Sequence, residues 1–464
     1  MIPPKRLELT IVGGGLAGCE AAWQAAERGI NVRLYEMRPK VWTGAHQTQH
    51  LGELVCSNSL GSNLPDRASG ILKNELRTLN SILLKCADET ALPAGGALAV
   101  DREGFSQKVT RVIENHALIE VVREEITEIP PGAAIIASGP LTSPKLTQAI
   151  RRLTGLEQIF FYDALAPLVN SDSINMDIVF RASRYGRNST TDGGDYLNSP
   201  MNKDEYYRFV DELVRAERIN LREFESEITC GVRAGMHEYF EGCLPIEIIA
   251  MRGREALAYG PLRPVGLTDP RSGKHSYAVV QLRQDNLAHT IYNLVGFQTN
   301  LKYTEQRRVF RMIPGLEQVE FARFGEMHRN TFIFSPALLQ RTLQYRQRED
   351  LFFAGQITGV EGYVGNIATG LLAGWNAANL LSGLPLIEMP DATMLGALCH
   401  YITHAEARDF QPMKANLGIL PGLEPATRGK RERAARYAVR STAELGEFLK
   451  ATEIKRSIAH SHDI

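Results

Sequence analysis

A glycine run near the N-terminal end constrains this chain more than any other feature. Residues 7–12 are apolar and β-branched and predict a buried strand. Gly13-Gly14-Gly15-Leu16-Ala17-Gly18 follows, then an alanine-rich helix over 19–28, stopped by Gly29, and a second strand over 31–36. Gly13, Gly15 and Gly18 spell G-x-G-x-x-G. Gly13 permits the tight turn, Gly15 lets a pyrophosphate approach the backbone, and Gly18 lets the helix pack close to the strand. The anion then lies at a helix N-terminus, where free N–H groups and the dipole favour it. Glu36 ends the second strand and is placed to bond a ribose hydroxyl. With Gly14 these residues predict a Rossmann-type βαβ unit holding a dinucleotide. A turn without a ligand leaves both the glycine spacing and Glu36 unexplained.

Two later segments favour FAD over NAD. Ala134-Ile135-Ile136-Ala137-Ser138-Gly139 reads like the strand and glycine beside the FAD of two-dinucleotide-type flavoproteins. Asp350-Leu351-Phe352-Phe353-Ala354-Gly355-Gln356-Ile357-Thr358-Gly359 is similar to their second FAD segment. Gly139, Gly355, Thr358 and Gly359 are therefore candidate cofactor contacts, and a helix opening near Gly370 is expected to aim its N-terminus at the isoalloxazine. Residues 37–66 form a long aperiodic loop, which in a compact domain is more often functional than idle. Ile71, Leu72, Leu76, Leu79 and Leu83 recur at helical spacing and predict one helix over 69–86; another is expected over 103–115. From about Phe160 the texture shifts to strands and loops. The expected class is α/β: a two-dinucleotide-like FAD-binding domain in two parts, 1–155 and 321–464, an inserted α+β domain over 156–320, and a helical C-terminal segment.

The 464 residues give ample room for a large core. Lys and Arg number 52 against 53 Asp and Glu, so bulk charge argues for no polyanionic partner, and an RNA surface must come from local clustering. Arg428, Lys430, Arg431, Arg433, Arg436 and Arg440 form such a run; a solvated helix face explains it equally well. The six cysteines contain no C-x-x-C and fit neither a zinc site nor a disulfide framework. No apolar run of about 18 residues occurs. The expectation is a reduced, cytoplasmic protein with no metal and no membrane span, its oligomeric state open.

More specific patterns follow. They include Leu54-Val55-Cys56-Ser57-Asn58-Ser59-Leu60, Ser183-Arg184-Tyr185-Gly186, Phe240-Glu241-Gly242-Cys243-Leu244-Pro245-Ile246-Glu247 and Tyr259-Gly260-Pro261-Leu262-Arg263-Pro264-Val265-Gly266-Leu267. Phe161-Tyr162-Asp163-Ala164, Met327-His328-Arg329-Asn330-Thr331-Phe332-Ile333, Val360-Glu361-Gly362-Tyr363 and Phe410-Gln411-Pro412-Met413-Lys414-Ala415-Asn416 complete the set. Together they span almost the whole chain, which resembles the TrmFO family of folate- and FAD-dependent tRNA (uracil-5-)-methyltransferases. The larger GidA-type (MnmG) enzymes share the FAD unit and carry an extended C-terminal region.

The resemblance implies methylation of C5 of uridine 54 in the tRNA T-loop. The carbon comes from 5,10-methylenetetrahydrofolate, FAD is the flavin, and NADH or NADPH supplies electrons. Uracil C5 is a poor nucleophile until a thiolate adds at C6, and cysteine both attacks and leaves well. Two cysteines match family motifs. Cys243 is expected to attack C6. Cys56 is expected beside the flavin, to take the C5 proton or bond the methylene transiently. Cys230 is an alternative nucleophile, while Cys19, Cys86 and Cys399 read as small buried hydrophobes. His328 and Arg329, and less so Arg283, are candidates for the folate or flavin side, and Tyr363 either stacks near the flavin or packs. Competing readings are a related uridine modification of ribosomal RNA, a small-molecule FAD oxidoreductase lacking the usual paired cysteines, and a non-catalytic RNA-binding flavoprotein.

Overall fold

The computed structural model describes residues 7–155, 159–187, 193–219, 244–271, 273–406 and 410–462, with side chains left out for 159–163, 327–329 and 453–462. Strand β1 (Glu8–Val12), helix α1 (Leu16–Ala26) and strand β2 (Asn31–Tyr35) form the expected βαβ unit. They belong to a six-stranded sheet ordered Gln344–Tyr345, Arg348–Phe353, Ala134–Ile136, β1, β2, Ile119–Val122. All its pairings are parallel except the edge hairpin. Its central strands are covered on both faces, which is why they read as unbroken apolar runs. Ile135 and Phe352 face the core around α1, whereas Ala134, Ile136, Leu351 and Phe353 face the core under helix Pro144–Thr154.

Helix Tyr363–Leu381 lies against α1 at backbone contact. A Cβ on Gly370 would sit 2.3 Å from the Ala17 carbonyl oxygen, and one on Gly374 2.5 Å from that of Ala21. The helix starts at Tyr363, not near Gly370. Gly370 and Gly374 are interior residues that set the helix–helix distance. A second correction concerns residues 69–86, which fold as two helices, Ala68–Thr78 and Ile82–Glu89. Asn80 takes a left-handed φ of 58°, and the buried Glu20 of α1 accepts bonds from the Ser81 hydroxyl (2.8 Å) and the Leu83 amide (3.0 Å). The apolar period runs through the break because both helices pack on one core.

The inserted unit is built on an antiparallel sheet ordered Phe180–Ala182, Tyr196–Met201, Ala278–Gln284, Ile291–Leu294, Leu168–Asn170, Phe321–Arg323. Helix Lys203–Arg215 covers it, started by a capping box between Asn202 and Glu205 and burying Tyr206, Phe209, Val210 and Leu213. Strands Ile159–Ala164 and Met327–Phe332 pair antiparallel where the chain enters and leaves. The C-terminal part is helical, with helices Met394–His404 and Lys430–His462. Among the described residues no helix is long and apolar enough to cross a membrane.

Candidate functional site

A groove runs over the carboxyl ends of the parallel strands, where open α/β sheets place ligands. Gly13 (φ 111°) makes the turn after β1, and a Cβ there would meet the Ala137 carbonyl oxygen at 2.4 Å. Gly18 packs on Gly13 itself. Around Gly15 a Cβ would meet nothing within 4 Å: this position faces the groove, and no side chain caps α1. The Gly14 amide is not open, because it donates to Glu36 Oε2 at 3.0 Å. Glu36 Oε1 accepts from the Arg38 amide and from its Nε (2.8 Å), and Arg38 Nη1 donates to Glu53 Oε2 at 2.8 Å. Burial pushes the Glu36 carboxyl up, but the bond and charge of Arg38 more than offset this and hold it below the usual carboxylate range. Glu36 Oε1 is filled by its two Arg38 donors, whereas Oε2, which accepts the Gly14 amide, keeps a lone pair for a sugar hydroxyl.

A second cavity adjoins the first through Val55, Pro140, Leu141, Gln356, Tyr363 and Asn366. Cys56 lines it, and residues 54–57 are held by backbone bonds on several sides. The Tyr363 hydroxyl accepts from the amides of Cys56 (2.8 Å) and Ser57 (3.1 Å). Arg102 donates to the Leu54 carbonyl and forms a two-point ion pair with Asp285 at 3.0 and 2.9 Å. Arg323 donates to the carbonyls of Val55 (3.3 Å) and Cys56 (3.1 Å). Arg102, Arg283 and Arg323 all interact electrostatically with the Cys56 thiol. By contrast Cys19, Cys86 and Cys399 are buried thiols whose ionisation burial pushes up, to about 11 for Cys86 and about 12 for Cys399. They match the reading of inert packing residues.

Gly13, Gly15, Glu36, Gly139, Gly355 and Tyr363 line the groove, and Cys56 the adjoining cavity. Gly14, Gly18, Thr358 and Gly359 sit behind it. The Thr358 hydroxyl is fully buried and donates to the Gly355 carbonyl at 2.7 Å, and the space over Gly359 is filled by the ring of Phe410. Arg283 is no open carboxylate binder, since it is buried with Nε on Asn58 Oδ1 at 2.8 Å. Cys230 and Cys243 lie outside the described residues, as do the side chains of His328 and Arg329. Of the basic C-terminal run, Arg436 and Arg440 are turned onto their own loop, on the carbonyls of Glu424, Pro425, Gly422 and Pro421. Arg38, Arg102, Asp285, Arg323 and Asn366 were not legible as site residues. Only Arg38, two residues past Glu36 at a strand end, gave a local signal.

The groove fits FAD. Two helices open onto it without a side-chain cap, α1 at Gly15 and Tyr363–Leu381 at Gly362. The buried Asn366 Oδ1, on a residue that lines both cavities, has no hydrogen-bond partner among the described residues and is left as an acceptor for a ligand donor. Among the described residues no group of three or more metal-binding side chains occurs.

A family model described as "Glucose inhibited division protein A" matches residues 8–385. The methylenetetrahydrofolate--tRNA-(uracil-5-)-methyltransferase TrmFO of Brevibacillus brevis is 54% identical over 440 residues, covering 95% of this chain and 98% of that protein. The chain belongs to the TrmFO family. Enterococcus faecalis TrmFO is likewise 54% identical, over 94% of this chain and 97% of its own. The fold of this TrmFO-family chain is that of Aquifex aeolicus GidA, whose form II crystal structure superposes with a TM-score of 0.68 at 16% identity, over 99% of this chain and 76% of that one.

Proposed function

We propose that the chain methylates C5 of uridine 54 in the T-loop of tRNA, with 5,10-methylenetetrahydrofolate as carbon donor, FAD as flavin and NADH or NADPH as reductant. One observation carries the reading: in a chain of this family, the Cys56 cavity opens directly into a groove that fits FAD. The amides at the start of α1 would hold the pyrophosphate, Glu36 would take a ribose hydroxyl, and Asn366 would accept from the ring end. Bound there, FAD supplies the redox chemistry that turns a methylene into a methyl group.

The target base must leave its stack to enter the cavity. Cys243 adds its thiolate to C6, which makes C5 nucleophilic. Cys56 takes the C5 proton onto its sulfur once the new carbon bond has formed, and the C6–S bond then breaks as the C5–C6 double bond returns. Arg102, Arg323 and Tyr363 keep the Cys56 backbone fixed during these steps.

The test is to incubate the protein with unmodified tRNA, NADPH and methylenetetrahydrofolate labelled in its methylene, then analyse nucleosides. Label in 5-methyluridine at position 54 is expected. NADPH oxidation without label in tRNA would refute the reading in favour of ribosomal RNA or a small molecule.

A further inference from the structure

Two of the family-like motifs, residues 183–186 and 259–267, play no part in either cavity, yet they fold against each other. Tyr185 holds φ 58° and ψ 29°, a conformation that bulky side chains rarely adopt, and remains 59% exposed. Its amide donates to the Gly266 carbonyl at 2.8 Å, and its ring lies flat enough on Gly266 (φ 83°) that a Cβ there would come within 2.9 Å of it. One ring face is thus seated on backbone while the side chain stands in solvent. Arg187 places its guanidinium 5.7 Å from the ring centroid. Arg184 donates to Gln281 Oε1 and to the Val265 carbonyl, both neutral and both at 2.8 Å, and Arg263 is near enough that its charge, after burial, lowers the Arg184 pKa. None of these three arginines forms an ion pair with a carboxylate among the described residues. Tyr259, 81% exposed, begins the second motif.

Packing fixes one face of the ring but does not explain the exposed side chain or the clustered cations. The exposed ring of Tyr185 has no role in the core, and Arg184, Arg187 and Arg263 have no carboxylate partner among the described residues, so their like charges repel until an anion arrives. Planar rings and forked cations together match one ligand chemistry, an RNA strand whose bases stack and whose phosphates pair with arginine. A run of contacts also leads from the patch to the residues beside Cys56. Gln281, which anchors Arg184, is two residues from Arg283 on strand Ala278–Gln284, and Arg283 bonds Asn58, itself two residues from Cys56. The geometry points to the surface of Tyr185, Arg184, Arg187 and Arg263 as a platform that holds tRNA nucleotides flanking the base delivered to the Cys56 cavity. This inference rests on the tRNA-methylating reading.

The experiment uses the full-length, FAD-loaded protein and an unmodified tRNA transcript, with affinity measured over a range of salt. Tyr185→Ala should weaken binding about tenfold, the loss of one stacked base, whereas Tyr185→Phe should stay within about twofold. Arg187→Gln should flatten the slope of log affinity against log salt by about one. FAD content, read from absorbance, should be unchanged in all three. If Tyr185→Ala and Arg187→Gln bind tRNA with wild-type affinity and salt slope while wild type forms 5-methyluridine, the platform is refuted and the proposed function stands. A change in sedimentation with tRNA affinity intact would make the surface a contact between copies of the chain and overturn the proposal equally. Wild type that transfers no label to tRNA brings both readings down.

Discussion

Replacing Arg38 with alanine strands two carboxylates. Glu36 and Glu53 have side chains only 7% exposed, and both are bound to the Arg38 guanidinium. Breaking such a buried cluster costs about 3–5 kcal/mol because the surviving charges keep their desolvation penalty. Arg38→Ala should therefore lower the unfolding midpoint and weaken FAD binding together, since Glu36 also holds the Gly14 amide. Calorimetry and flavin titration check both, and unchanged FAD affinity would remove Arg38 from the cofactor site. Cys56→Ala tests the other end. Losing a group that moves the C5 proton should cut product formation by about 10²–10⁴-fold while bound FAD persists. Near-wild-type turnover would reduce Cys56 to a spacer. Gly13, Gly15 and Glu36 were readable because their spacing is the chemistry. Arg102, Asp285 and Arg323 were not, because their side-chain bonds span 48 to 268 residues of sequence.

At the scale of elements, Glu75 joins three helices. From helix Ala68–Thr78 it accepts the amides of Met394 (2.6 Å) and Leu395 (2.9 Å), at the start of Met394–His404, and the Ser441 hydroxyl of the long C-terminal helix. Burial raises its carboxyl from 4.5 to about 6, partly countered by these bonds. A folded-state pKa above the unfolded one gives stability that is full below pH 4.5 and is lost as the pH rises through about 6. The loss is about 2 kcal/mol. Thermal unfolding of wild type and Glu75→Gln between pH 4.5 and 7 should differ by that pH-dependent amount; parallel curves would mean the carboxyl ionises freely. The helices at Leu16–Ala26 and Arg102–Glu114 were legible to within a few residues, but Pro144–Thr154 and Lys203–Arg215 were not read and other helix ends were misplaced. Gly370 looked like a start because glycine marks ends, whereas here it permits contact with α1. The break at Asn80 was hidden because its cause, Glu20, lies 61 residues from Ser81.

At the scale of the whole molecule, the fold class was legible because one parallel sheet and one βαβ unit dictate it, whereas the meeting of the two units was not. Arg323 and Asp285 belong to the inserted sheet or its edge, and both act on residues 54–57 of the FAD-binding part, Asp285 through Arg102. Arg323→Ala should free two carbonyls and remove one cation from around the thiol. Alkylation of Cys56 by iodoacetamide near pH 7, followed on its own peptide, should slow about tenfold with FAD still bound. An unchanged rate would make the contact incidental.

The double grip on residues 54–57 works as an interlock. Neither unit by itself supplies all the bonds on residues 54–57, so a nascent or partly opened chain does not hold the Cys56 sulfur in this position. The shape of residues 54–57 is set by the same docking event that completes the chamber for the substrate.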